Sequence, residues 1–287
     1  AHVDHGKTTL VDCLLRQSGQ FHHNEKVIDR VMDSNALEKE RGITILSKCT
    51  SIDWKNLRIN IVDTPGHADL GGEVERILNM VDGVMLLVDA AEGPMPQTKF
   101  VLTKALNQNL NPIVLINKVD RSDQRATEVL NDIFDLFIAL DANDKQLDFP
   151  VLYSSAKNGW ASNDPDTTGQ DMEILLEKIV GHIPPPDADP NGPLKMLVTS
   201  LERDPYLGRV LTGRINSGSI QTNQKVKSID RTGKLVEKTR ITKLLNFRGL
   251  ERTAIKEAFA GDIIAIAGFE LATVSNTICN ENSNDPL

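Results

Sequence analysis

The sequence predicts two domains: an α/β domain built on a mostly parallel sheet, followed by an antiparallel β-barrel. Three observations lead there. Residues 1–8 form a glycine-containing phosphate-binding loop that runs directly into a helical pattern. Short apolar runs then alternate with amphipathic helical stretches as far as residue 182. Three consecutive prolines, Pro184, Pro185 and Pro186, end that alternation, and short strand patterns separated by glycine turns follow.

The first element is Ala1-His2-Val3-Asp4-His5-Gly6-Lys7-Thr8. It fits the G-x-x-x-x-G-K-[ST] pattern, with Ala1 in place of the first glycine. In such a loop successive backbone N–H groups curl around phosphate oxygens. The lysine adds charge at the β/γ-phosphates and the hydroxyl ligates Mg²⁺. Asp4, His5, Gly6, Lys7, Thr8 and Thr9 are therefore assigned to the nucleotide, and Thr8 also to the metal. Leu10, Val11, Leu14 and Leu15 give residues 7–17 helical spacing, which places a helix N-terminus at the phosphates. Such a loop needs a strand before it, so the α/β domain is expected over residues 1–183 without its first strand. The chain is accordingly read as part of a longer protein.

Next comes Arg41-Gly42-Ile43-Thr44-Ile45. Thr44 is the candidate second threonine on Mg²⁺, in a segment that orders when a γ-phosphate is present. Gly42 can equally mark an ordinary turn before a strand. Residues 56–64 read as a strand running into Asp63-Thr64-Pro65-Gly66-His67. Asp63, at the strand end, is expected near the metal through a water. Gly66 lacks a side chain and can bring its N–H close to the γ-phosphate. Phosphoryl transfer to water needs a positioned nucleophile and charge stabilisation more than a strong base. His67, directly after Gly66, is the candidate catalytic residue. The side chains of His2, His5, His22, His23 and His182 are expected to be surface or packing groups.

Residues 83–89, 112–117 and 149–154 are short apolar runs, each suited to a strand buried on both faces of a parallel sheet. Helical patterns cover 72–81, 95–107, 125–140 and 172–182. Their alternation argues for a doubly wound sheet, whose ligands sit beyond the carboxyl ends of the strands. Asn117-Lys118-Val119-Asp120 falls at such an end. Asp120 can accept two hydrogen bonds, from guanine's ring N–H and its exocyclic amine, and adenine offers no matching pair of donors. Asn117 would tie loops together while the Lys118 stem packs over the base. In Ser154-Ser155-Ala156-Lys157, Ser155 and Ala156 supply N–H groups to the guanine oxygen, with Lys157 beside them. The ordered set describes a site for GTP or GDP with Mg²⁺.

Residues 184–191 form a stiff proline-rich linker. Strand patterns then cover 194–201, 208–216, 224–230, 238–245 and 262–267. Turns at Ser217-Gly218, Thr232-Gly233 and Ala260-Gly261 separate several of them. Regular short strands of this kind suggest a closed barrel over residues 192–287. Residues 280–287 are polar, with no obvious terminal element.

Composition narrows the functional classes. The 287 residues carry 32 basic against 40 acidic side chains, a net charge of −8, which disfavours a generic nucleic-acid binder. No apolar run is long enough to span a membrane. Cys13, Cys49 and Cys279 are far apart and odd in number, so they read as small buried residues in a reducing compartment. A cytoplasmic monomer that binds neither membrane nor DNA is the expectation.

His67 after Asp-Thr-Pro-Gly, together with Arg-Gly-Ile-Thr-Ile, resembles the translation-factor GTPases of the elongation-factor group. The chain is more narrowly similar to the BipA/TypA family. That likeness rests on the run Val31-Met32-Asp33-Ser34-Asn35-Ala36-Leu37-Glu38-Lys39-Glu40-Arg41-Gly42 and on Gly93-Pro94-Met95-Pro96-Gln97-Thr98. In the second domain Asp204-Pro205-Tyr206-Leu207-Gly208-Arg209 and Gly249-Leu250-Glu251-Arg252 add to it. The resemblance spans essentially the whole chain. It implies a P-loop GTPase domain followed by a barrel like domain II of elongation factors, with further domains beyond. It also implies binding to the ribosome, its RNA and proteins, at the shared translation-factor site, with roles in large-subunit assembly and in translation under stress or cold. The family casts Val3 and Ile43 as a hydrophobic gate restraining His67; simple packing is the equal alternative. Leu70 and Arg203 depart from the family's usual phenylalanine and tyrosine. Two other readings stay open: a relative of elongation factor G or LepA, and a nucleotide-gated ribosome-binding module with negligible hydrolysis.

Overall fold

The computed structural model describes residues 2–19, 48–64, 71–249 and 251–287. The chain divides into two compact units, residues 1–185 and 186–287.

In the first unit α1 (Lys7–Gln17) is followed by an antiparallel pair, β1 (Lys48–Trp54) and β2 (Leu57–Asp63). Then come α2 (Gly71–Leu78), β3 (Gly83–Asp89), α3 (Pro96–Asn107) and β4 (Asn111–Asn117). The unit ends with α4 (Ala126–Ala139), α5 (Asp144–Leu147), β5 (Val151–Ser155), β6 (Trp160–Ser162) and α6 (Glu173–His182). The main sheet has the order β3-β4-β5-β6, its first three strands parallel and β6 antiparallel.

Successive residues of these strands point to opposite faces, and both faces are covered. Leu87, Leu115 and Leu152 pack under α1 and α6, in one core with Ile52 of β1. Their neighbours Leu86, Val114 and Ile116 pack against Val129, Ile133 and Phe137 of α4. The parallel register sets Asp89, Asn117 and Ser154 side by side at the carboxyl ends of three adjacent strands. That row positions the site.

The second unit holds one eight-stranded antiparallel sheet and a small pair. Its strands are β7 (Lys195–Asp204), β8 (Gly208–Ser217), β9 (Ser219–Gln221), β10 (Lys225–Ile229) and β11 (Leu235–Arg240). They continue with β12 (Lys243–Arg248), β13 (Glu251–Ala254), β14 (Glu257–Phe259), β15 (Ile263–Phe269) and β16 (Thr277–Cys279). Met196, Val198, Leu211, Ile215, Ile264 and Ile266 lie in its core. β7 and β8 approach so closely that a Cβ on Gly213 would stand 1.9 Å from the Leu197 carbonyl oxygen. The edge strand β11 is fastened by side chains. Glu237 accepts N–H bonds from Glu270 (3.1 Å), Leu271 (2.9 Å) and Ala272 (2.5 Å), and Thr239 donates to the Gly268 carbonyl at 2.6 Å.

Two expectations need correcting. The single strand predicted over 238–245 is two strands, β11 and β12. At the junction the backbone changes partner: Ile241 donates to the Gln224 carbonyl and Thr242 to that of Ala267. Cys13 and Cys279 are buried as expected, but Cys49 is only half-buried. β1, β6, β9, β13, β14 and β16 had no counterpart in the sequence reading. No helix among the described residues is long and apolar enough to cross a membrane.

Candidate functional site

The phosphate loop enters α1 through Gly6, which adopts φ 98°. A Cβ there would sit 2.5 Å from Asn117 Nδ2, so the position favours glycine for both conformation and space. The contact matters because Asn117 is a junction. Its Nδ2 donates to the His5 carbonyl at 2.9 Å. Its Oδ1 accepts from Ala156 N–H at 3.0 Å and from the Ser154 hydroxyl at 3.1 Å. One buried amide therefore joins the phosphate loop, the Asn117–Asp120 loop and the Ser154–Lys157 loop.

Thr8 Oγ1 donates to Asp63 Oδ2 at 3.1 Å, joining α1 to the end of β2. Lys7 Nζ donates to the His2 carbonyl at 2.7 Å, so the ammonium folds back on its own loop. Burial pushes the Lys7 pKa down, opposed by Asp63 and Asp4. Asp4 and Thr9 are exposed and Val3 is half-buried. His5 is fully buried, with Nδ1 3.3 Å from the Leu87 carbonyl and Nε2 3.2 Å from Glu92. Burial lowers its pKa to about 4, which keeps the imidazole neutral near pH 7.

At the other end of the site Asp120 is exposed and accepts from Asn158 Nδ2 at 3.1 Å. Ser155 and Ala156 are buried, and Lys157 is exposed. Lys118 sits at φ 67° with Nζ 2.7 Å from Asp89 Oδ2. Burial alone would raise the Asp89 carboxyl, but Lys118 and the N–H groups of Ala91 and Glu92 overturn this and hold it below its ordinary value. Ile43, Thr44, Gly66 and His67 lie outside the described residues.

The structure thus brings together Lys7, Thr8 and Asp63 on one side, and His5, Asn117, Ser154 and Ala156 on the other. Three residues near these groups were missed. Asn158 directly follows Ser154–Lys157, a signal present in the sequence; Asp89 ends an apolar strand, as Asp63 does, but no motif there names its partners. Gln17 bridges α1 to the Gly159 carbonyl (2.6 Å) and to Met172 N–H (2.8 Å), and no sequence pattern announces it.

The donor set suits Mg²⁺. A hydroxyl and a carboxylate oxygen already in contact are hard ligands, and this ion is typically held by few protein groups, with waters and phosphate oxygens completing the shell. Among the described residues no group of three or more His, Cys, Asp or Glu could hold a metal by itself.

A glycine loop entering a helix at the carboxyl end of a parallel sheet, joined through Asn117 to the loops at 117–120 and 154–157, has the architecture of a nucleotide-binding α/β domain. The elongation factor Tu GTP binding domain matches residues 1–185 and elongation factor Tu domain 2 matches residues 208–279. The chain belongs to the elongation factor Tu GTP-binding domain family. The expected BipA/TypA likeness holds over its whole length. It is 54% identical over 287 residues to the large ribosomal subunit assembly factor BipA of Bacillus subtilis, and also 54% identical to BipA of Salmonella typhimurium. In both cases the match covers 100% of this chain and 47% of the relative, so the chain spans about half their length. The crystal structure of bacterial selenocysteine-specific elongation factor EF-Sec superposes with a TM-score of 0.73 at 25% identity, covering 98% of this chain and 44% of that one.

Proposed function

We propose that this chain is the GTP-binding and barrel portion of a ribosome-associated GTPase acting in large-subunit assembly and translation, in the cytoplasm and as a monomer. The boundaries we infer are 1–183 for the nucleotide domain, 184–191 for the linker and 192–287 for the barrel. The observation that supports the reading is the Asn117 junction, whose three hydrogen bonds join the loop at 2–6 to the loops at 117–120 and 154–157. The similarity to relatives that are large ribosomal subunit assembly factors supports the ribosomal role.

In this reading the loop Asp4–Thr9 and Lys7 hold the phosphates. Asp120 selects guanine, Lys118 covers the base, and Ser155 offers its N–H to the base oxygen with Lys157 beside it, whereas the Ala156 N–H expected there is already donated to Asn117 Oδ1. Thr8 and Thr44 ligate Mg²⁺, with Asp63 acting through a water. When bound, that ion supplies charge neutralisation at the phosphate oxygens. Gly66 senses the γ-phosphate, and His67 orients the attacking water or steadies developing charge. Val3 and Ile43 flank it as a gate.

Ribosome-stimulated GTP turnover by the full-length protein tests the whole reading. His67→Ala is expected to leave GDP binding nearly intact and to abolish the stimulated rate. Full stimulation in that variant removes His67 from the mechanism. No stimulation of the wild type at all would instead favour a nucleotide-gated binding module.

A further inference from the structure

Asp89 stands beside Asn117 at the carboxyl end of the sheet, fully buried. Its Oδ1 accepts from the N–H groups of Ala91 (2.7 Å) and Glu92 (3.2 Å). The turn that carries those donors is fixed on every side. Ala90 donates to the Asn117 carbonyl at 2.8 Å and Gly93 to that of Asp89 at 2.9 Å. Arg125 then clamps the turn to the start of α4, donating from its backbone to Ala90 O (2.9 Å), from Nε to Ala91 O (2.9 Å) and from Nη2 to Glu92 O (3.3 Å). Asp89 is thus a buried negative charge on a rigid post.

Its other oxygen faces the base-reading loop. Oδ2 lies 2.7 Å from Lys118 Nζ, with Arg121 Nη1 at 3.8 Å. Lys118 needs such a restraint. At φ 67° it occupies the left-handed region, which a side chain with a Cβ disfavours and which persists only when its surroundings hold it. The same turn also reaches the phosphate loop, where Glu92 meets the buried His5 ring at 3.2 Å.

We propose that Asp89 is a positioning residue for guanine nucleotide: by pinning Lys118 it holds the Asn117–Asp120 loop in its base-accepting shape before nucleotide arrives. The proposal rests on the nucleotide-site reading above and adds to it a residue that acts through Lys118. Its effect is one of population. If the loop holds the accepting shape in only about a tenth of molecules once Asp89 is lost, the apparent Kd rises about ten-fold. Because Asp120 sits on the same loop, preference for guanine over hypoxanthine narrows as well.

Asp89→Asn is the informative change. It is nearly isosteric, and its amide oxygen can still accept from Ala91 and Glu92, so the turn survives while an NH₂ group faces the Lys118 ammonium. Lys118→Met keeps the apolar stem and removes the ammonium. GDP and IDP affinities are measured by titration for the full-length wild type, both single variants and the double variant, with melting temperatures alongside. The expected result is a loss of about ten-fold in GDP affinity for each single variant. The GDP-over-IDP preference is also reduced, and the double variant is no worse than either single, because both act through one contact. The proposal is overturned if folded Asp89→Asn keeps wild-type affinity and base preference, or if the two single losses add. Should Asp89→Asn not fold, unchanged affinity and base preference in Lys118→Met overturns it equally. A wild type that binds no GDP sinks the nucleotide reading itself, and this proposal with it.

Discussion

Replacing Asn117 by alanine removes three hydrogen bonds made by one buried side chain, to the His5 carbonyl, the Ala156 N–H and the Ser154 hydroxyl. The hydroxyl can rotate to another acceptor, so two backbone groups bear the change. A buried donor or acceptor left without its partner costs about 1–3 kcal/mol. Two such groups put the total on the order of 2–6 kcal/mol, shared between folding and nucleotide binding because the three loops meet at this residue. If only about 2–3 kcal/mol falls on binding, GDP affinity drops roughly 30- to 150-fold, at 1.4 kcal/mol per factor of ten. Calorimetric titration of GDP into the full-length wild type and Asn117→Ala, with thermal melts of both, separates the two shares. GDP affinity within about two-fold of wild type in a folded variant would refute the idea that this amide assembles the site.

Three further outcomes follow from particular contacts. Asp120→Asn is expected to shift preference from GTP towards a xanthine nucleotide, because an amide can donate to the altered base edge; a nucleotide competition assay reads this directly. Glu237→Ala leaves the buried Ala272 N–H without its acceptor, while water can reach the exposed Glu270 and Leu271 N–H groups, and should lower the stability of the second unit by about 1–3 kcal/mol, seen as an earlier urea transition; Glu237→Asp, one methylene shorter, should recover little of it. The Asp89 carboxyl is held below its ordinary value of 3.8, so its contribution to stability is complete above about pH 5 and is lost as pH falls through the lower folded value. Urea melts of wild type against Asp89→Asn should therefore differ most near neutral pH and converge in strong acid.

Which parts of this molecule could be read from its sequence depends on how far each interaction reaches along the chain. The meeting of Thr8 with Asp63, and of Asn117 with the loop before α1, was legible because each residue sits in a short string with a recognisable pattern. The strands β3, β4 and β5 were legible because burial on both faces makes them continuously apolar. β1 was not, since Thr50 and Ser51 are buried among its polar residues and mask any apolar period. The break between β11 and β12 at Ile241 was hidden for a related reason. The run is continuous in strand propensity, and only the positions of Gln224 and Ala267 in space decide where the backbone changes partner.

Asp89 and Glu237 mark the sharper limit. In sequence, Asp89 is one acidic residue after an apolar run and Glu237 one charge in an alternating strand, each most simply placed at the surface. Asp89 gains its meaning from the parallel register that sets it beside Asn117, and Glu237 gains its own from three amide groups more than thirty residues away. A carboxylate is costly to bury unless donors surround it, so its place in the fold is decided by partners the local sequence does not name. The direction of inference then runs from structure back to sequence. Where an acidic residue closes an apolar strand in register with the asparagine that joins three loops, as Asp89 does beside Asn117, the proposed anchoring role comes from that pairing and not from the local sequence.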